Sequence, residues 1–180
     1  MTNKHALVAL VTDKPGVLNR IASLFRRRGF NIESIAVGHS EVRGISRVTI
    51  VVDGSSAQVE QVRKQFEKEV DVIKVTDVTG EGTVTRELAM IKVKASTENR
   101  SEIIQIVDIF RAAIVDVSTG SLIIEVTGEG KKIDTLYELL YKFGIKEIAR
   151  TGTIAMMRSD KGSPVSEENR NVTKNKKMGE

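Results

Sequence analysis

The sequence predicts an α+β chain made of two βαββαβ units, each an antiparallel four-stranded sheet with both helices on one face. Three observations carry this expectation. Short runs rich in valine and isoleucine alternate with stretches of helical period. The order strand, helix, strand, strand, helix, strand occurs twice. A glycine-containing segment, Thr79-Gly80-Glu81-Gly82-Thr83, separates the two occurrences.

His5 to Val11 reads as a continuous apolar strand, broken by Asp13-Lys14-Pro15-Gly16. From Val17 the period changes, and Val17, Ile21, Leu24 and Phe25 fall on one helical face. Gly29 ends that helix. Arg26, Arg27 and Arg28 occupy its last turn, where cations complement the negative end of the helix dipole; phosphate binding is the alternative reading. A second strand follows over Asn31 to His39, then a polar turn over Ser40 to Gly44. In the third strand, Arg47 to Val52, Val48, Ile50 and Val52 alternate with Arg47 and Thr49. Ser55 with Gln58 forms a capping-box signature for a helix burying Val59, Val62 and Phe66. The fourth strand is expected over Val70 to Val78, with Ile73 and Val75 inward.

The order then repeats. Leu88 to Ala95 is a strand, Asn99 with Glu102 is read as the cap of a helix carrying Ile103, Ile106, Val107 and Phe110, and Ala113 to Val117 and Leu122 to Thr127 are strands. Ile133, Leu136, Tyr137 and Leu140 make another helical stripe ended by Gly144. Ile145 to Met157 supplies the closing strand, bent at Thr151-Gly152. The expected division is residues 4–79 as the first domain, 80–85 as a linker, 86–158 as the second and 159–180 as a disordered tail, too polar to offset the entropy of ordering it. Two successive βαββαβ units amount to two ferredoxin-like domains.

Composition narrows the function classes. The chain has no cysteine, which excludes disulfides, thiolate zinc sites and a cysteine nucleophile. No apolar run approaches the roughly 20 residues that a spanning helix needs, and the N-terminus shows no signal-peptide pattern. The cytoplasm is therefore the expected location, with no membrane partner. The net charge of +4 is modest, and half of the excess comes from the segment beginning at Arg158. A nucleic-acid module of the same topology would need aromatics on its central strands to stack bases. Ser46 to Val52 and Leu122 to Thr127 have none. His5 and His39, the only histidines, have no companion ligands at metal spacing. Gly80-Glu81-Gly82 and Gly128-Glu129-Gly130 match neither a Rossmann nor a Walker pattern and read as turns. Nothing resembles a nucleophile elbow or a paired acid and base.

Domains of about 75 residues are marginal alone. Sheets with one face and their edges uncovered invite pairing, so edge-to-edge dimerisation is expected, with grooves between loops and neighbouring strands. The loop Thr12-Asp13-Lys14-Pro15-Gly16-Val17 suits a small carboxylate. Gly16 allows close approach, and the helix start offers unpaired N–H groups and a positive dipole end. Asp13 is placed to meet an ammonium group, which leaves an apolar side chain for Val17 or Ile32.

Asp13-Lys14-Pro15-Gly16-Val17-Leu18, followed by Leu24-Phe25 and Arg28-Gly29-Phe30-Asn31-Ile32-Glu33-Ser34-Ile35, resembles the N-terminal ACT domain of acetolactate (acetohydroxyacid) synthase regulatory subunits. Ser46 to Ile50, Val70-Asp71-Val72, Arg86-Glu87-Leu88, Ile109 to Ala112 and Ala149 to Gly152 fit the same family, and the resemblance runs over residues 4–158. It implies a non-catalytic subunit that binds no cofactor. Its partner is the large catalytic subunit, which carries thiamine diphosphate, magnesium and FAD and condenses pyruvate with a second 2-oxo acid as a transferase. The small subunit raises that activity and confers feedback inhibition by valine in branched-chain amino acid biosynthesis; isoleucine and leucine remain open as effectors.

Carried over residue by residue, the effector contacts are Asp13, Gly16, Asn31 and Ile32, with Lys14, Pro15 and Val17 shaping the loop. The ACT domains pair as a homodimer, so that the loop of one protomer faces Asn31-Ile32 of the other. The second unit, whose loop Ala95 to Asn99 lacks the glycine, helps dimerise and contact the synthase. The family often has asparagine where Asp13 stands here, and a carboxylate attracts an ammonium but repels a carboxylate. The alternative function is a stand-alone ACT-type amino-acid sensor acting on another enzyme or a transcription factor.

Overall fold

Alternating burial along each strand decides which sheet face meets the helices. The computed structural model describes residues 4–80 and 82–158. The segment 159–180, expected to be a disordered tail, lies outside the described residues. The first half runs β1 (Lys4–Thr12), α1 (Val17–Arg27), β2 (Ile32–His39), β3 (Ile45–Asp53), α2 (Ser56–Phe66) and β4 (Val72–Asp77). Its antiparallel sheet has the order β2-β3-β1-β4, which leaves β2 and β4 at the edges. Leu7, Ala9, Val11, Val48, Ile50, Val52 and Val75 on the strands form one core with Val17, Ile21, Leu24 and Phe25 of α1 and Val59, Val62 and Phe66 of α2. Phe25 packs edge to face on Phe66 with ring centroids 5.6 Å apart, an arrangement that aromatic quadrupoles favour.

The second half runs β5 (Thr83–Lys94), α3 (Arg100–Ile109), β6 (Ala113–Val117), β7 (Ser121–Gly128), α4 (Gly130–Tyr141), β8 (Ile145–Arg150) and β9 (Ile154–Met157). The order is β6-β7-β5-β8, with β9 also paired to β5. Ala89, Ile91, Val93, Leu122, Ile124 and Val126 pack against Ile103 and Val107 of α3 and Ile133, Leu136 and Leu140 of α4. Two ferredoxin-like units are thus present, as the sequence predicts.

Several local expectations are corrected. The fourth strand begins at Val72 rather than Val70, whose side chain is 95% exposed. A register shift opposite Leu10 and Val11 places Val72 and Val75 inward and turns Ile73 out; the extra residue of a bulge breaks the period of two. Ser55 and Gln58 do form the reciprocal cap of α2. Asn99 does not cap α3 by its side chain, because its Oδ1 accepts the Ser96 amide proton at 2.7 Å instead. The closing strand is two strands, β8 and β9, and the second sheet gains a fifth member. The break falls at Thr151-Gly152, where Gly152 has a φ of 83°.

By internal packing the described residues divide into one unit of 4–80, 82–84 and 155–158, and a second of Thr85–Ile154. The strand β5 already begins at Thr83, inside the stretch 80–85 read as a linker. Ala155, placed by the sequence in the second domain, packs with Val8 and Val78 of the first unit. Val8 lies on the sheet face turned away from the helices, so this face is not bare, contrary to expectation.

Replacing Phe66 by alanine should cost about 3–5 kcal/mol, and removing the α2 cap with Ser55→Ala about 1 kcal/mol, both measured by urea unfolding. If the two substitutions cost the same, Phe66 is not the core ring that its packing indicates.

Candidate functional site

At the end of β1 the backbone is tied down before it turns. The Thr12 amide donates to the Asp71 carbonyl and the Asp13 amide to the Gly44 carbonyl, each at 2.9 Å. The Lys14 amide donates to the Thr12 carbonyl at 3.0 Å, and the Val17 amide to the Lys14 carbonyl at 3.4 Å. Gly16 then takes the N-cap position of α1 with φ 85° and ψ −9°, a left-handed conformation that favours glycine. A glycine cap has no side chain to offer the first-turn amides, and no acidic residue stands in that turn. Helix starts present unpaired amides and partial positive charge. The loop therefore displays both to solvent, in a form suited to a small anion.

A polar cluster lies beneath it. Asp71, between α2 and β4, is almost buried, and its Oδ1 accepts from Thr12 Oγ1 at 2.9 Å while Oδ2 is bonded by Arg20 Nη2. The Thr12 hydroxyl, then the guanidinium of Arg20 and the charge of Lys14, hold the Asp71 carboxyl below the usual carboxylate range, against the opposing effect of burial. The position that a side chain on residue 16 would fill lies 3.8 Å from Arg20 Nη1. On the other flank, His39 Nδ1 stands 3.4 Å from Asp13 Oδ2. The site thus joins the β1–α1 loop, the first turn of α1, the end of β2 and the entry to β4.

The predicted site residues separate into groups. Asp13, Lys14, Pro15 and Gly16 form the exposed loop. Val17 is 4% exposed and belongs to the core, so it anchors the loop and does not line it. Ile32 packs partly against the same core, and Asn31 just before it is exposed. Neither is near the loop in the same chain. Thr12 pairs with Ile45 at one end of β3, whereas Ile32 pairs with Val52 at the other, opposite His5. At about 3.3 Å per residue, the length of β2 puts roughly 23 Å between its two ends.

Sequence reasoning named Thr12 only as the first residue of the loop and gave Arg20, His39 and Asp71 no part in this site. A charged residue inside the apolar run Val70-Asp71-Val72 was the available signal for the last. Elsewhere the bland readings agree with the geometry: Arg26 and Arg27 lie in the last turn of α1, Arg27 3.8 Å from Glu69. Lys132 covers Gly128 and donates to the Thr127 carbonyl at 2.9 Å, as in an ordinary strand–helix turn. Among the described residues, no group of three His, Cys, Asp or Glu side chains is placed to hold a metal ion, and no helix is long and apolar enough to cross a membrane.

Comparison with known proteins matches both halves. Residues 7–74 fit a family model described as the AHAS small subunit-like ACT domain, and residues 86–159 fit one described as the small subunit of acetolactate synthase. A probable acetolactate synthase small subunit of Methanothermobacter thermautotrophicus is 56% identical over 87% of this chain and 94% of its own length. The acetolactate synthase small subunit of Bacillus subtilis is 52% identical over 86% and 91%. The crystal structure of the small subunit from Thermotoga maritima superimposes with a TM-score of 0.81 at 47% identity, covering 87% of this chain and 98% of that one.

Because the native carboxyl of Asp71 titrates below its unfolded value, it stabilises the fold above that value and loses this contribution as pH falls through the lower native one. The melting temperature of the wild type should therefore fall more steeply below about pH 4 than that of Asp71→Asn, which should already be lower at neutral pH. Parallel curves in thermal melts from pH 6 to 3 would remove Asp71 from this role.

Proposed function

The chain belongs to the family of acetolactate synthase small subunits, and from that membership we propose that it activates a catalytic acetolactate synthase subunit and makes it sensitive to valine. The chemistry belongs to the partner, a transferase that holds thiamine diphosphate, magnesium and FAD and works in branched-chain amino acid biosynthesis in the cytoplasm. This chain contributes a regulatory site in residues 4–79, and residues 86–158 contribute to assembly.

The observation that carries this reading is the loop at Gly16, an uncapped helix start bordered by polar side chains and open to a small zwitterion. The effector carboxylate takes the amides of the α1 start, and Asp13 takes the ammonium. Asn31 and Ile32 lie at the far end of the sheet in the same chain, so they complete the site only from a second copy. The edge position of β2 supplies the means. Two copies paired antiparallel along β2 about a two-fold axis bring the start of one β2 to the end of the other, beside the loop. Ile35 and Val37, exposed on β2, are the apolar residues such pairing would cover. Isoleucine and leucine differ from valine by one methylene and would bind the same site, with selectivity set by the room beside Ile32.

Control of the enzyme requires that valine bind two states of the complex unequally, because equal binding shifts no equilibrium. A coupling of about 1–3 kcal/mol is ordinary for such systems.

Mixing the chain with its cognate catalytic subunit should raise the rate of acetolactate formation, and added valine should lower it again. An unchanged rate on mixing would overturn the regulatory role. For the isolated chain, valine at about 100 times its dissociation constant should stabilise the fold by roughly 2.7 kcal/mol. Gly16→Asp, strained at its positive φ and adding a carboxylate beside Asp13, should abolish this response, and Asn31→Ala should weaken it. Undiminished responses in both variants would put the site elsewhere.

A further inference from the structure

We propose that Arg20 is a specificity-determining residue of the effector site, its guanidinium receiving the carboxylate of the bound amino acid above Gly16. This rests on reading the Asp13–Gly16 loop as the effector site and adds the side chain that selects a free carboxylate.

The geometry is particular. The space left by the absent side chain of residue 16 has Arg20 Nη1 as its near wall, 3.8 Å away. Nη2 of the same fork is held by Asp71, whose other oxygen is held by Thr12. The pair is lopsided in burial: the Asp71 side chain is 12% exposed and that of Arg20 48%. Asp71 thus acts as a fixed post, and the guanidinium is turned toward the loop surface. Arginine carries five N–H donors in a planar fork, more than one carboxylate can occupy, so Asp71 orients Arg20 without exhausting it. Helix amides alone would accept a carboxylate beside Asp13 against like-charge repulsion; a clamped guanidinium next to Gly16 offsets that repulsion. The carbonyl of Gly16 accepts the Arg20 amide at 3.1 Å, so the residue that opens the space and the residue that lines it are one helical turn apart on the same backbone.

The test compares valine with valinamide, which keeps the ammonium and the isopropyl group but lacks the carboxylate, by calorimetry on the full chain. Arg20→Gln should weaken valine by about tenfold or more, the range for a lost charge-assisted hydrogen bond, and leave valinamide unchanged. Arg20→Lys should fall between, since a point charge replaces a fork. If Arg20→Gln destabilises the fold by stranding Asp71, the neutral pair Arg20→Gln with Asp71→Asn carries the experiment and should show the same loss of preference for valine. Equal losses for both ligands, or none, would overturn the assignment and leave Arg20 a structural clamp. If Gly16→Asp abolishes valine binding and Arg20→Gln does not, only the Arg20 assignment falls. If neither variant affects it, the loop is not the effector site.

Discussion

The antiparallel flanking of β3 by β1 and β2 is the constraint on which the site depends. Two strands that each run opposite to a shared neighbour run the same way as each other. The loop leaving β1 and the residues entering β2 are therefore held at opposite ends of one sheet, with Thr12 beside Ile45 and Ile32 beside Val52. A one-residue slip would turn the whole β1 stripe Leu7, Ala9 and Val11 out of the core, so the hydrophobic pattern guards the register. On the proposed reading, a site needing both ends would require a second copy of the chain, and regulation would then depend on association.

Much of this was legible because it is local. The apolar stripes of the four helices, the Ser55 and Gln58 cap and the break at Gly16 each depend on residues within about one turn of each other, and periodicity reads such distances well. What was not legible is long-range. The bulge that turns Ile73 outward is set by its partner strand at Leu10 and Val11. Arg20 and Asp71 are 51 residues apart in the chain, and no pattern in either segment points to the other. Asn99 looked like a cap because its spacing to Glu102 is right, yet the Ser96 amide competes for the same oxygen; such local alternatives are open to asparagine everywhere. For the proposed site, Asp13 to Gly16 stand exposed, while Val17, offered as a contact for the effector's apolar side chain, is buried, as its helical face already committed it to the core.

The departure at Asp13 has a structural counterpart. A carboxylate at the lip of the proposed anion site would be adverse if it stood alone, but His39 Nδ1 lies 3.4 Å from it at the end of β2, and Lys14 follows it in the loop. The loop carries an acid next to a lysine, with Arg20 close to Gly16, a mixture that would suit a ligand carrying both signs.

Ala155 has a consequence for how the protein can be divided. It is supplied from beyond the second repeat, yet its packing partners are Val8 and Val78. The first unit is consequently discontinuous along the chain, and a gene cut between the repeats would release a fragment with a bared apolar seam. During synthesis the early strands must wait for more than seventy later residues before that seam closes. The repeats look tandem on paper, but their maturation is interleaved, and dissecting them requires carrying β9 along with the first.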